Sequence, residues 1–324
     1  MDKTRKIEKS IIQKNLTENF IKLIPTFYEM ESSFLSGVYK RYGDLEGGNI
    51  VIFFARDCHL EILRKREKDL DFDLSLEKFW NNHKFINQNR KKIILVSRET
   101  GLPKETTRRK IISLIKKKHI KKSDKNKLFW EPASEFKETY TKIIEEEINS
   151  LSKFIFEQGK LLYLNLSVSK IEKELKSNYS FYWYHYLNVQ LEYIKFWHEK
   201  LKDLEMLLIG LQVVIQALNY LKRITSDYTI LLSQNKNSKN FSTKDANISA
   251  TSISDITGIP RATCIRKLDK FVKMKVLEKD DKSKRYFLLL NQNTLNPMLN
   301  PDLMKPKISI LSEFSSTVLK GILR

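Results

Sequence analysis

Apolar side chains along this chain recur mostly at spacings of three and four, the period of one face of an α-helix. From Phe20 to Tyr42 they fall at Phe20, Leu23, Ile24, Phe27, Tyr28, Met30, Phe34, Leu35, Val38 and Tyr39. That pattern predicts an amphipathic helix, started or kinked by Pro25. The first residues are charged and read as frayed, with helix from Ile7 onwards. Gly43 and Gly47–Gly48 break the pattern, and Asn49 is expected to cap a second helix from Ile50 to about Lys65. Ser75 is placed to cap a third, Leu76–Phe85. Beyond Trp130 and Pro132 a long helix is predicted from about Ser134 to Gln158, interrupted by Gly159, and Ser167 caps another through Leu175. Tyr179 to about Leu201 is rich in aromatic residues, and Met206–Leu221 is the most apolar segment. Residues 234–247 are polar and read as a flexible loop. Residues 291–306, with Pro297, Pro301 and Pro306, read as an extended linker before a last helix, Ile308–Leu323.

One stretch is written twice. Val96–Trp130 and Ile253–Phe287 align without a gap, each position matched 157 residues later, as in Gly101/Gly258. Identical pairs include Ser97/Ser254, Thr100/Thr257, Gly101/Gly258, Pro103/Pro260, Thr106/Thr263, Arg109/Arg266, Lys110/Lys267 and Lys127/Lys284. An internal repeat fixes architecture before any single residue does. Outside it, Asp203-Leu204-Glu205 echoes Asp44-Leu45-Glu46, so the duplication is expected to reach back to Phe20 and Tyr179 after a two-residue change of register.

Within each copy a short helix must stop at Gly101 or Gly258, since glycine alone takes positive φ without a Cβ penalty. Pro103 and Pro260 then open a second helix, where a missing N–H costs nothing. That helix carries cations on one side and apolar groups such as Ile111, Leu114, Leu268 and Phe271 on the other. Two short strand-like runs around the polar turns Asp124–Lys127 and Asp281–Lys284 predict hairpins. The pattern Gly-apolar-Pro-basic-x-Thr followed by Arg-Lys, then a basic hairpin, resembles the winged helix-turn-helix transcription regulators. Long flanking helices make the resemblance MarR-like. It covers about 35 residues in each copy, Val96–Trp130 and Ile253–Phe287.

The resemblance implies a mainly α fold with two tandem winged helix-turn-helix modules flanked by long packing helices. The expected divisions are 1–133, a connecting 134–178, and 179–324. It also implies that each recognition helix enters a major groove with its first turns at the bases. Lys104, Glu105, Thr106 and Arg108 are the base-reading candidates of copy one, and Arg261, Ala262, Thr263 and Ile265 those of copy two. Arg109, Lys110, Arg266 and Lys267 suit phosphates, which position without specifying. Lys122, Lys125, Lys127, Lys282, Lys284 and Arg285 in the hairpins suit the backbone or minor groove. Glu105 faces Ala262 and Arg108 faces Ile265, so unlike half-sites are expected, their centres about 34 Å apart or a multiple of it. The expected function is a sequence-specific double-stranded DNA-binding transcription regulator, one chain acting as a pseudo-dimer, as a monomer or a homodimer. A plasmid-type replication initiator and a protein-interaction or RNA-binding protein are the alternatives.

Charge strengthens the first reading. The chain of 324 residues has 59 basic and 39 acidic side chains, a formal net charge of +20, concentrated in the repeated motifs. Such an excess attracts polyanions. Hydrophobic content of 41% excludes a disordered chain. The two cysteines, Cys58 and Cys264, lie in unrelated contexts and imply no disulfide, with Cys264 facing inward on its helix. No signal-like segment or bilayer-length span is visible, so a cytoplasmic, nucleoid-associated protein is expected. Asp69, Asp71 and Asp73 lack the glycine and glutamate of a calcium loop, and read as a solvated turn. Five histidines show no HExxH spacing, and Walker, GxGxxG and nucleophile-elbow patterns are absent, so neither enzyme chemistry nor a cofactor is expected. The aromatic helix, Phe181 to Trp197, is the place where a small-molecule effector would sit.

Overall fold

The computed structural model describes residues 7–89, 91–123, 128–225, 243–289 and 301–324. The protein is mainly α-helical, with two small antiparallel hairpins. The first copy holds α1 (Lys9–Glu18), α2 (Phe20–Tyr42), α3 (Leu45–Lys68), α4 (Leu76–Asn82), α5 (Ile93–Thr100), α6 (Lys104–Lys116) and α7 (Lys137–Leu161). Its hairpin pairs β1 (Lys121–Lys122) with β2 (Leu128–Phe129). The second copy holds α8 (Val168–Ser177), α9 (Tyr179–Leu201), α10 (Leu204–Ile224), α11 (Ala250–Thr257), α12 (Arg261–Lys273) and α13 (Pro301–Leu323). Its hairpin pairs β3 (Leu277–Lys279) with β4 (Tyr286–Leu288).

Helix starts repeat along the chain. Lys9 and Val168, Phe20 and Tyr179, and Leu45 and Leu204 each stand 159 positions apart. α1 and α8 both have 10 residues, and α2 and α9 both have 23. From α5 and α11 onwards the offset is 157, as in Ile93 and Ala250, so the two-residue slip lies between α3 and α5. Residues 134–178, expected to connect two modules, hold α7, the last helix of one copy, and α8, the first of the next.

The copies are interleaved. α3 packs on α9 and α10 on α2; α7 packs on α8 and α13 on α1; α5 touches α9 and α11 touches α2. Each of these contacts changes into its partner when the copies are exchanged, the relation of a local two-fold axis. The side chains show where the axis runs. Phe27 meets Tyr193 edge-on at 5.9 Å, and Phe34 meets Tyr186 edge-on at 5.5 Å. Phe27 and Tyr186, like Phe34 and Tyr193, are equivalent positions, so the two contacts are one contact made twice. Between them Gln190 Nε2 donates to Glu31 Oε1 at 3.0 Å, and these two residues are also equivalents. A single apolar core runs through both copies.

Several helix boundaries differ from those expected, for reasons of packing. α3 begins at Leu45, not Ile50, and runs through Gly47–Gly48. Asp44 is its cap, accepting from Glu46 N and Gly47 N. A Cβ on Gly48 would overlap Val38 and press on Tyr42, so this glycine lets α2 and α3 approach. Asn49 is buried and donates its side-chain amide to Thr100 O at 3.0 Å. α7 continues past Gly159, where a Cβ would meet Leu166 Cδ1 at 2.7 Å. Pro25 lies inside α2 without ending it. The proline-rich linker is helical from Pro301, which opens α13 as a first-position proline can. Of the polar loop 234–247, residues 234–242 lie outside the described residues, whereas Thr243 and Ala246 are buried. α10 is long and apolar enough to cross a membrane by length and composition, and most of it is buried in this fold.

Burial pushes the Glu31 carboxyl up to about 8, with the Gln190 hydrogen bond opposing the rise. A carboxyl raised by folding stabilises the fold only while protonated. Its contribution is therefore lost as pH climbs from 4.5, the ordinary value, through about 8. Glu31→Gln removes that loss. Urea unfolding at alkaline pH should find the variant more stable by on the order of a few kcal/mol, the difference closing in mild acid. A difference that does not vary with pH would contradict this.

Candidate nucleic-acid interface

Both helix-turn-helix units are built by the same local chemistry. Gly101 and Gly258 end α5 and α11 in the left-handed region, at φ 72° and 77°. Thr100 and Thr257 turn their hydroxyls back to Val96 O and Ile253 O, both at 2.7 Å. Pro103 and Pro260 precede α6 and α12 with φ of −55° and −53°. Thr107 and Cys264 point inward and bond the carbonyls of that turn. The far ends match as well. Lys118 and Lys275 take positive φ, and the next amides, His119 N and Val276 N, donate to Leu114 O and Phe271 O. His119 is buried and shares a 2.8 Å hydrogen bond with Tyr140 OH.

Water-facing positions on the two second helices are mostly those expected. Lys104, Glu105, Arg108, Arg109, Arg261, Ala262 and Arg266 are exposed; Thr106, Thr263 and Ile265 are half-buried. Arg109 and Arg266 form no ion pair with any carboxylate among the described residues. Lys122, Lys282, Lys284 and Arg285 are exposed on the hairpins. Lys125 and Lys127 lie outside the described residues. The turn of the second hairpin is closed by Lys284 N donating to Asp280 O at 2.8 Å and by Asp280 Oδ2 accepting from Ser283.

Two of the expected phosphate contacts are turned elsewhere. Lys110 Nζ lies 2.7 Å from Asp44 and 3.1 Å from Glu46. Lys267 Nζ lies 2.5 Å from Asp203 and 3.0 Å from Glu205, its side chain only 11% exposed. These lysines are the inward neighbours of Arg109 and Arg266, and the carboxylates capture them. The Asp-Leu-Glu echo is thus one half of an ion-pair latch, and the repeated Arg-Lys supplies the other. Each latch ties α6 or α12 to the start of α3 or α10, where the same aspartate caps the helix. Both latches, with Lys202, line one open cleft of about 260 Å3.

Tyr182, Trp183, Tyr186, Tyr193 and Trp197 of α9 are buried in the core. The cavity that Trp183 shares with Arg41, His59, Trp130 and Tyr140 is about 30 Å3, room for a water molecule. Asp69 and Asp73 accept from Asp71 N and Ser75 N, closing the turn before α4. Among the described residues no group of histidine, cysteine and carboxylate side chains could hold a metal ion. Gln88 pairs with Trp130 through both its amide atoms at 3.1 Å, fixing the end of the first hairpin, a role its polar surroundings did not announce. No family model, curated protein or solved structure matches the chain.

Lys267→Ala strands Asp203 and Glu205 beside each other, so urea unfolding should show a loss of about 1–3 kcal/mol. Arg266→Ala, one residue away but in water, should change stability by no more than about 0.5 kcal/mol. The reverse order would show that the latch does not hold the helix.

Proposed function

We propose that the chain is a sequence-specific double-stranded DNA-binding transcription regulator, two winged helix-turn-helix modules acting as a single-chain pseudo-dimer. Neither an enzyme activity nor a cofactor belongs to this reading, which places the protein in the cytoplasm with the nucleoid. The observation that carries it is the pair of matching helix–turn–helix–hairpin units, each with the first turns of its second helix cationic and open to water. A helix of that kind fits a major groove, and the hairpin cations beside it suit the adjacent backbone. Inward cations are neutralised by the latches, so the free charge of each unit lies on its outer side. A chain of net charge +20 adds long-range attraction for a polyanion.

Duplex binding followed across a salt series tests the proposal. With about eight phosphates neutralised, log affinity should fall against log salt with a slope of about −7. Removing two phosphate contacts, by Arg109→Ala together with Arg266→Ala, should make that slope shallower by about two while the unfolding midpoint stays put. Absence of duplex binding at low salt, or an affinity indifferent to salt, would overturn the reading.

A further inference from the structure

The two copies tie down their DNA-facing side chains differently. In copy two Asp269 on α12 accepts from Lys279 Nζ at 3.1 Å and from Tyr286 OH at 2.9 Å. Lys279 lies over the Tyr286 ring at 5.0 Å, and Ile248 pairs with Tyr286 through both backbone groups at 2.9 Å. The second hairpin is therefore fastened to its recognition helix and to the segment before α11. In copy one the corresponding positions are Ile112, Lys122 and Phe129, which have no such chemistry, and Ile112 is 54% exposed.

First turns differ as well. Glu105 grips Arg108 with two oxygens, Oε1 2.7 Å from Nη2 and Oε2 3.0 Å from Nε, on an exposed face. Copy two has Ala262 and Ile265 there, and no acid between Arg261 and Lys267. Its Arg261 is steadied by Thr251 Oγ1 at 3.0 Å.

Resting on the DNA-binding reading above, we infer that copy one discriminates sequence through the Glu105–Arg108 pair, whereas copy two anchors the chain on the duplex backbone. A carboxylate facing a polyanion lowers affinity for every sequence unless a donor takes the place of Arg108. The cytosine N4 amino group is such a donor, and a neighbouring guanine accepts the released guanidinium at O6 and N7. On any other sequence the pair stays closed and Arg108 lends no charge. The first turns of α12 carry no acid to repel phosphate, and the hairpin beside them is held ready, so the attraction of copy two does not depend on the bases.

Anisotropy titrations test the division. One duplex is selected from a random pool by the wild-type protein; the other is its scrambled form of the same length and composition. Glu105→Ala should tighten binding to the scrambled duplex and cut the ratio of the two affinities roughly tenfold. Arg266→Ala should weaken both duplexes alike and leave the ratio unchanged. Loss of the ratio in Arg266→Ala, or its survival in Glu105→Ala, overturns the assignment. Wild-type protein that binds neither duplex overturns the DNA-binding reading and this division with it.

Discussion

Glu31 of α2 and Gln190 of α9, equivalent positions on two helices of equal length, meet in one hydrogen bond at the local two-fold axis about which the copies are arranged. Edge-to-face pairs flank it on both sides, each adding about 0.5–1.5 kcal/mol beyond the area it buries. Exchange of α3 and α10, and of α7 and α13, across the same axis means that neither copy closes its core alone. Joining the copies in one chain also allows the axis to be asymmetric. Two carboxylates facing each other there would repel, whereas a carboxyl and an amide make a hydrogen bond.

From that core the latches carry order outwards. α3 and α10 start at aspartates that cap them, and the same aspartates hold Lys110 and Lys267 on the second helices of the repeated units. Position within the helix thus sorts the cations: one neighbour of each Arg-Lys pair is spent on holding the helix, and the other faces water. Where the copies diverge, on Glu105, Arg108 and Asp269, the divergence lies on the outer face and leaves the scaffold intact.

Much of the local structure was legible in the sequence. Glycine and proline at fixed places in both copies, with cations on one helical face, foretold the turns, the second helices and the hairpins. Ser75 and Ser167 foretold their caps. What could not be seen depends on contacts distant in sequence. Gly48 looked like a helix breaker because its neighbour across the interface, Val38, is invisible in a local pattern. Lys110 and Lys267 looked like phosphate ligands because nothing in their own helices reveals two carboxylates more than sixty residues away. The repeated Asp-Leu-Glu was visible, but only the fold shows where it lands. Interleaving of the copies was likewise hidden, since a duplicated sequence is compatible with two separate beads.

The most direct measurement is selection of bound sequences from a random duplex pool, followed by the mass of the resulting complex in solution. One polypeptide seated on an asymmetric site, its base preference concentrated in one half, is the predicted result. A palindromic consensus occupied by two polypeptides would contradict the account.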